Sequence, residues 1–505
     1  MTSVAVTVLD SSDRSAAHWT RWRVMGGAII IQLILGTVYG YSIFWQPLER
    51  DWFPAADGAG AVVTQSQMKY AFGICLLSFA GSMIFAGRLQ DLRGPRVTAT
   101  IGGALLAVGF LIAGQAHHLA TYYVCHGLLM GGLTIALLTA GHALFGRVDP
   151  DAWPIVRYLP HGIVAAVVVC GVVLGNQFVT GDAGDRLLLL WASVGMIAGV
   201  GIGFAYVCPI AALVKWFPRQ KGMVAGIAVA GFGLGAWLFS QKWVLGAVGF
   251  IEQYGIRTFF SVHALTCLIM VCGGAMLLVN PPAPSGGASS GASASAAASE
   301  FVWRQTLRTG SFYKVWLMFF SGALAGLMVI GILKPFAGQQ LVSAATVGGA
   351  ALDELTRRDL LLKGAEAVAW LAVFNAIGRI FWGWASDRIG RSAAMTAMFA
   401  LQAVAMLTLG TLDTSWTLAI GSAFVGFNFG GNFAVFPSLT ADLFGSRNLG
   451  ANYGWVFTSY GVAGVSGVAL GNAAMQATGS YFAAFVIAAA LCLASAVLSW
   501  TVRRK

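Results

Sequence analysis

From residue 24 to residue 501 the chain is a succession of apolar runs, each long enough to cross a lipid bilayer, and that pattern excludes the layered soluble folds before any motif is considered. A helix needs about 20 mainly apolar residues to cross roughly 30 Å of hydrocarbon. Fourteen segments meet that requirement: about 24–46, 66–88, 97–116, 121–145, 161–180, 187–214, 222–244, 257–279, 314–337, 364–386, 392–411, 415–438, 449–474 and 480–501. The 505 residues are 58% hydrophobic and 10% charged, with a mean hydropathy of +0.76, whereas soluble domains carry about 25% charged residues. The expected class is an all-α polytopic membrane protein.

Thirty Lys and Arg against nineteen Asp and Glu give a formal charge of +11. In a soluble chain such an excess would hint at nucleic acid. Here the cations sit in short clusters between apolar runs, so they read as topology and no nucleic-acid partner is expected. With the N-terminus in the cytoplasm, twenty of the thirty fall in cytoplasmic loops and tails and eight outside, leaving Lys334 and Arg379 within spans. That bias predicts both termini on the cytoplasmic side of a cell membrane, in all expectation a bacterial inner membrane. Residues 1–23 form a polar tail, and no cleavable leader precedes the first span, which is expected to act as signal and anchor. The seven cysteines (Cys75, Cys125, Cys170, Cys208, Cys267, Cys272 and Cys492) all lie inside apolar runs and read as buried small hydrophobes, not as a disulfide framework.

The stretch 281–300, PPAPSGGASSGASASAAASE, has no capacity to form a core. It divides the chain into an N-terminal bundle, 24–280, and a C-terminal bundle, 313–505, joined by a cytoplasmic linker over 281–312. A short repeat marks each half: GRLQDLRGPR at 87–96 and GWASDRIGR at 383–391. Both follow the second span of their half, and both keep a Gly, an Asp four residues later and a Gly three beyond that. The Gly permits a tight turn and close helix contact; the Asp can pair with a neighbouring Arg and face the positive N-terminus of a helix. Two such strings at matching places indicate internal duplication, the construction of alternating-access transporters around a midplane site. Gly87, Asp91, Gly94 and Arg96, with Gly383, Asp387, Arg388 and Arg391, are therefore the expected cytoplasmic gate residues.

The paired loops resemble the signature of the major facilitator superfamily, whose members are two six-helix bundles. Gly36 to Phe44 (GTVYGYSIF), with Pro47 and Leu48 close behind, is similar to the first helix of its oxalate/formate antiporter family. So are LVKWFPRQKGMVAGIAVAGFGLGA (213–236), FNAIGRIFWGWASDRIGR (374–391) and FPSLTADLFGSRNLGANYGWVFTSYGVAG (436–464). One region departs from the family: about 117–185 is interposed, with two further spans joined by GRVDPDAWPIVRYLPHG (146–162). The resemblance thus implies two six-helix bundles plus an inserted two-helix hairpin, fourteen spans in all, with the orientation downstream preserved. The plain reading of the hairpin is a lipid-facing or dimerising accessory. Its His126 and His142 stand about 24 Å apart along a helix, too far to share one ion, and no metal or cofactor is expected.

Arg379 is the leading site candidate. It lies eight residues before Asp387, about 12 Å up its helix and so near the bilayer centre, where an Arg costs at least ~2.5–3.5 kcal/mol and marks function. A fixed guanidinium there can receive a carboxylate through two parallel hydrogen bonds, and the resemblance implies a binding Arg at this place. Asn375, one turn away on the same face, can donate to a second oxygen or orient the guanidinium. Tyr460, twelve residues beyond Asn448, is also near the middle. The resemblance implies a Lys there in oxalate-exchanging members, and one cation plus a phenol suits a monoanion better than a dianion. Further wall candidates are Gln32 and Tyr39, seven apart on one face of the first helix, Tyr206, and Asn428 with Asn432 on one face of another; each alone is as compatible with packing. The glycines Gly226, Gly231, Gly233 and Gly235 read as close helix packing. Lys334, at the outer end of its helix, reads as a snorkelling side chain.

No Asp or Glu lies near the middle of any span. The expected function is secondary transport of a small carboxylate such as formate, lactate, pyruvate or glyoxylate, by anion exchange or with a co- or counter-transported proton. An oxalate/formate-type exchanger is the runner-up and a membrane anion sensor ranks third. No catalytic constellation is apparent, so the chain is not read as an enzyme.

Overall fold

The computed structural model describes residues 11–53, 65–114, 182–240, 246–282, 300–346 and 352–502, and these are helical almost throughout. The segment expected to form the inserted hairpin, 117–185, falls almost wholly outside them. In the N-terminal half, α1 (Ser11–Leu35) runs into a 3-10 segment (Gly36–Phe44) and α2 (Trp45–Trp52), followed by α3 (Gln65–Arg93) and α4 (Pro95–Gly114). Next come α5 (Asp182–Leu190), a π-helical turn (Trp191–Ile197), α6 (Ala198–Trp216), α7 (Lys221–Ser240) and α8 (Ala247–Leu277). A short α9 (Trp303–Leu307) leads into α10 (Gly310–Ala345), α11 (Glu354–Ile389), α12 (Arg391–Leu409), α13 (Ser415–Phe444), α14 (Leu449–Thr478) and α15 (Phe482–Ser499). Eleven of the helical stretches are long and apolar enough to cross a membrane; α14 has the length, but its glycines and polar residues lower its hydropathy.

Local chemistry sets where these helices start. Thr309, Asp353 and Thr414 cap α10, α11 and α13, each side-chain oxygen accepting from the backbone N–H three residues on. Gly94 and Gly390 take φ of +85° and +89°, a region closed to most L side chains, and so turn the chain between α3 and α4 and between α11 and α12. The repeated Gly thus does the same backbone work in both halves.

The first span differs in detail from its expectation. The helix begins at Ser11, inside the expected tail, and Trp22 packs edge-on against Phe217 at 5.9 Å. It then tightens to 3-10 geometry at Gly36, where a Cβ would overlap the Phe232 carbonyl. Gln32 and Tyr39 accordingly do not sit on one continuous α-helical face.

The polar side chains are gathered inside while apolar ones face outward. Leu265, Ile269 and Met276 on α8, Ile377, Ile380 and Phe381 on α11, and Val404 on α12 are exposed. That is the arrangement expected where lipid is the solvent. The two halves meet along two helix pairs, α3 with α14 and α7 with α11. Glycine lets the backbones approach: a Cβ at Gly454 would overlap the Met83 carbonyl, and one at Gly226 the Arg379 carbonyl.

A candidate anion site between the two halves

Arg379 lies on α11 where that helix is squeezed between α7 and α13. A Cβ at Gly430 of α13 would overlap the Asn375 carbonyl, so the local backbone is fixed from both sides. The guanidinium is 0% exposed. Its Nε donates to Asn375 Oδ1 at 3.0 Å and its Nη1 to the Val229 carbonyl of α7 at 2.6 Å. The carbon of the guanidinium sits 4.4 Å from the Phe433 ring centroid and 5.6 Å from that of Phe232, both within cation–π range. Nη2 has no hydrogen-bond partner, and no described carboxylate forms an ion pair with this residue. The result is a desolvated cation held by neutral groups, with one edge uncommitted.

Aromatic rings from both halves close around it. Tyr39 of the 3-10 segment and Tyr460 of α14 share a hydrogen bond of 2.8 Å between hydroxyls, directly linking the halves. Phe79 of α3 packs 4.9 Å from Phe457 of α14 and 5.0 Å from Tyr206 of α6, and Tyr206 lies 5.4 Å from Phe457. The hydroxyls of Tyr39, Tyr206, Tyr453 and Tyr460 all feel the charge of Arg379. Those of Tyr206 and Tyr453 are buried with no partner, as is Gln32 Oε1. Gln32 Nε2 donates to the Tyr206 carbonyl at 3.0 Å, which ties α1 to α6 beside the site. A buried polar group left unpaired costs about 1–3 kcal/mol, so two uncommitted hydroxyl donors and the unpaired Nη2 of the guanidinium form a site with the chemistry to receive a small anion.

The two repeat loops lie at one end of the molecule, and each reaches across to the other half. The Asp91 carboxylate of α3 accepts from the backbone N–H groups of Gly450 (3.3 Å) and Ala451 (2.8 Å) at the start of α14. The Asp387 carboxylate of α11 accepts from Gly222 (3.0 Å) and Met223 (2.8 Å) at the start of α7. A carboxylate at a helix N-terminus satisfies otherwise orphan amides and opposes the helix dipole. Beside each Asp the backbones touch through glycine: a Cβ at Gly87 would overlap the Gly450 carbonyl, and one at Gly383 the Gly222 carbonyl. The geometry is duplicated, but the cations are not. Asp387 pairs with Arg391 at 2.8 Å as anticipated, whereas Asp91 is approached by Lys215 of α6 at 3.6 Å, not by Arg96, which is exposed. Arg388 lies over the Trp384 ring at 4.8 Å and takes no part in the contact. Arg391 and Lys221 also bind Asp442 of α13, at 2.9 and 2.8 Å.

The family model of the Major Facilitator Superfamily matches residues 359–505. Among solved structures, the proton:xylose symporter XylE bound to 6-bromo-6-deoxy-D-glucose superposes with a TM-score of 0.56 at 14% identity, covering 96% of both chains. The chain has the fold of solved major facilitator transporters, and its C-terminal part matches the family model. The relatives and structural neighbours it matches are membrane transporters. The chain is similar to an uncharacterised MFS-type transporter, YhjX, of Escherichia coli (strain K12), with 26% identity over 88% of this chain and 86% of that one. It is similar also to the oxalate:formate antiporter of Oxalobacter formigenes, at 24% identity over 93% and 88%. The apicoplast pyruvate carrier 1 of Toxoplasma gondii matches at 24% identity over 89% and 83%.

Within this superfamily fold the sequence candidates separate into two groups. Arg379, Asn375, Tyr39, Tyr460, Tyr206 and Gln32 converge on the interface between the halves. Asn428 and Asn432 of α13 do not reach Arg379 by any hydrogen bond. Asn432 Nδ2 donates to the Phe429 carbonyl at 3.0 Å, and its amide is the nearest contact of Gly322 on α10, inside the C-terminal half. Both amide atoms of Asn428 are buried without a partner. Four residues escaped the sequence reading: Phe232 and Phe433, which face the guanidinium, Phe457, which joins the halves, and Tyr453 with its unpartnered hydroxyl. Tyr453 and Phe457 stand seven and three residues before Tyr460 on α14, so helical spacing from Tyr460 would have found them. An isolated Phe such as Phe232 carries no such signal.

Proposed function

We propose that this transporter moves a small monocarboxylate across the cytoplasmic membrane by alternating access, with Arg379 as the anion's partner. The observation that carries the reading is the guanidinium itself, fully buried between the halves with Nη2 uncommitted and no described carboxylate paired to it. Asn375 orients it, Phe433 and Phe232 flank it, and the Tyr39–Tyr460 pair closes over the neighbouring space. The names of the antiporter and the pyruvate carrier support a carboxylate as cargo. One cation beside neutral phenols favours a monoanion, because a second carboxylate would enter a desolvated site with nothing to balance it.

In this reading the Asp91 and Asp387 loops, with Gly87 and Gly383 at their backbone contacts and Gly94 in the turn, hold the cytoplasmic side closed, and both termini lie on that side. Rocking of the halves would break the Asp-to-helix contacts and the Tyr39–Tyr460 bond as the site changes sides. Purified protein should be thermally stabilised by one or more of formate, acetate, lactate, pyruvate and glyoxylate, and proteoliposomes should show counterflow of the same acid. Arg379→Gln should abolish both. Stabilisation by oxalate alone would favour the oxalate/formate-exchange reading, and undiminished uptake by Arg379→Gln would end the proposal.

A further inference from the structure

A second polar centre lies inside the N-terminal half, behind the 3-10 segment. His263 of α8 is buried and borders a cavity whose lining also includes Thr37, Tyr41, Cys75, Phe110 and Val194, with no charged residue among those described. Its Nε2 stands 3.3 Å from Thr37 Oγ1 and 3.5 Å from Cys267 Sγ. Thr37 Oγ1 gives its single proton to the Ile34 carbonyl at 2.7 Å. At Thr37, therefore, Nε2–H of the imidazole is the donor, and Nδ1 is the nitrogen free to take up a proton.

Three rings enclose the imidazole. Phe259 is stacked on it at 5.5 Å with the planes 13° apart, Phe110 of α4 stands edge-on at 4.6 Å and Phe239 of α7 lies at 5.0 Å. Of these rings only Phe259 is stacked on the imidazole, and an apolar enclosure with no described carboxylate suits the neutral ring, so proton uptake belongs to a state in which water reaches Nδ1. The titratable groups facing the imidazole are Tyr41 of the 3-10 segment, Cys75 of α3 and Cys267 of its own helix; α4, α6 and α7 present apolar residues. Tyr41 is itself committed to the Met68 carbonyl at 3.2 Å.

Thr37 connects this centre to the anion site. It lies one residue after Gly36, which abuts the Phe232 backbone, and two before Tyr39, which bonds Tyr460 of the other half. A 3-10 stretch within a longer helix often marks a hinge, and Thr37 and Tyr39 stand in the same stretch, so bending there would shift the Tyr39–Tyr460 bond and the His263 contact together. We infer that His263 is a proton-binding site of this transporter, coupled through Thr37 and the 3-10 segment to the anion site. The proton enters from water onto Nδ1, rides as the imidazolium N–H, and leaves from the same nitrogen; no other bond forms or breaks. The inference rests on the carboxylate reading above.

The test uses full-length protein in liposomes with radiolabelled pyruvate, an acid strong enough that little crosses the bilayer uncharged. Counterflow at equal pH reads anion exchange; accumulation driven by an imposed pH gradient reads proton coupling. Wild type should show both. His263→Gln, whose amide can still donate to Thr37, should keep counterflow while gradient-driven accumulation falls at least about fivefold, the lower end of coupling between linked sites. Gradient-driven accumulation by His263→Gln equal to wild type, or no response of wild type to the gradient, overturns the inference. Should His263→Gln fail to fold, Thr37→Val decides, since it leaves the imidazole and cuts its tie to the hinge. The same fivefold loss supports the inference, and unchanged accumulation overturns it. Absence of counterflow with pyruvate and with every other acid tested would instead remove the carboxylate reading.

Discussion

Replacing Asp91 with Asn tests the cross-half contact at its strongest point. The carboxylate accepts from Gly450 N and Ala451 N at 3.3 and 2.8 Å with Lys215 at 3.6 Å, and its side chain is 2% exposed. Hydrogen bonds to a charged group contribute about 1.5–3 kcal/mol each. Asn keeps one acceptor oxygen, but its NH2 turns toward the second backbone donor, so about one charge-assisted bond is lost, roughly 2 kcal/mol. That corresponds to about a 30-fold shift from closed toward open at the loop end. The assay is maleimide labelling of Gln90→Cys in a background free of other cysteines. Gln90 is fully buried and its Oε1 would lie 2.7 Å from a Cβ on Gly450, so its labelling follows separation of α3 from α14. Labelling should rise toward 30-fold with Asp91→Asn, and anion-induced thermal stabilisation should persist. Asp359→Asn, which removes only the exposed pair with Lys363, should change nothing. Labelling that stays at the parent rate in Asp91→Asn would show that the helix-capping contact does not hold the halves together.

Other substitutions address the remaining contacts. Gly383→Val places side-chain atoms where the Gly222 carbonyl lies and should raise the same labelling while lowering stability by about 1–3 kcal/mol in thermal melts; an unaltered melt would refute the close approach. Arg379→Lys keeps the charge but loses the forked geometry and the ring stacking, so pyruvate counterflow should fall about 30- to 100-fold, the equivalent of one charge-assisted bond; wild-type counterflow would mean that charge alone suffices. Tyr460→Lys supplies a second cation and should move the thermal-shift preference from monocarboxylates toward oxalate. An unchanged order of acids would refute the charge-balance argument.

The parts that were legible in the sequence are those written into chain periodicity and backbone chemistry. Apolar runs set the helices, and the Gly–Asp–Gly spacing located both cross-half contacts because each residue type does one thing there: Gly allows contact or a positive φ, Asp caps the opposing helix. Arg379 stood out because a guanidinium in the middle of an apolar run has few structural uses. What stayed hidden depends on tertiary placement. Lys215 reaches Asp91 from α6, and sequence proximity pointed to Arg96 instead. Asn428 and Asn432 share a helix face with each other, yet Asn432 lies against Gly322 inside the C-terminal half, since i, i+4 spacing fixes a common face and not its direction. The 3-10 turn at Gly36 arises from the neighbouring Phe232 backbone, a contact 196 positions away in the chain.

That no described carboxylate pairs with Arg379 is what makes it interpretable. A structural buried Arg would be expected to end on a carboxylate, because the cost of desolvation is recovered only with a partner of opposite charge. Here four of the six described ion pairs lie at the loop end, on Asp91, Asp387 and Asp442, and the other two join Arg50 with Asp51 and Lys363 with Asp359. The central guanidinium meets a carbonyl, an amide oxygen and two ring faces. Those groups solvate the cation partially and leave Nη2 unpaired. On the proposed reading, an anion arriving there would complete the charge balance that the described residues leave open, and its binding would be strongest with the halves closed around it and water excluded. The same aromatic surfaces can part without exposing a broken ion pair, since Tyr39, Phe79, Tyr206 and Phe457 are neutral. A carrier built this way places charge where the halves must hold each other and where the anion must be held, and makes the moving surface between those points of rings.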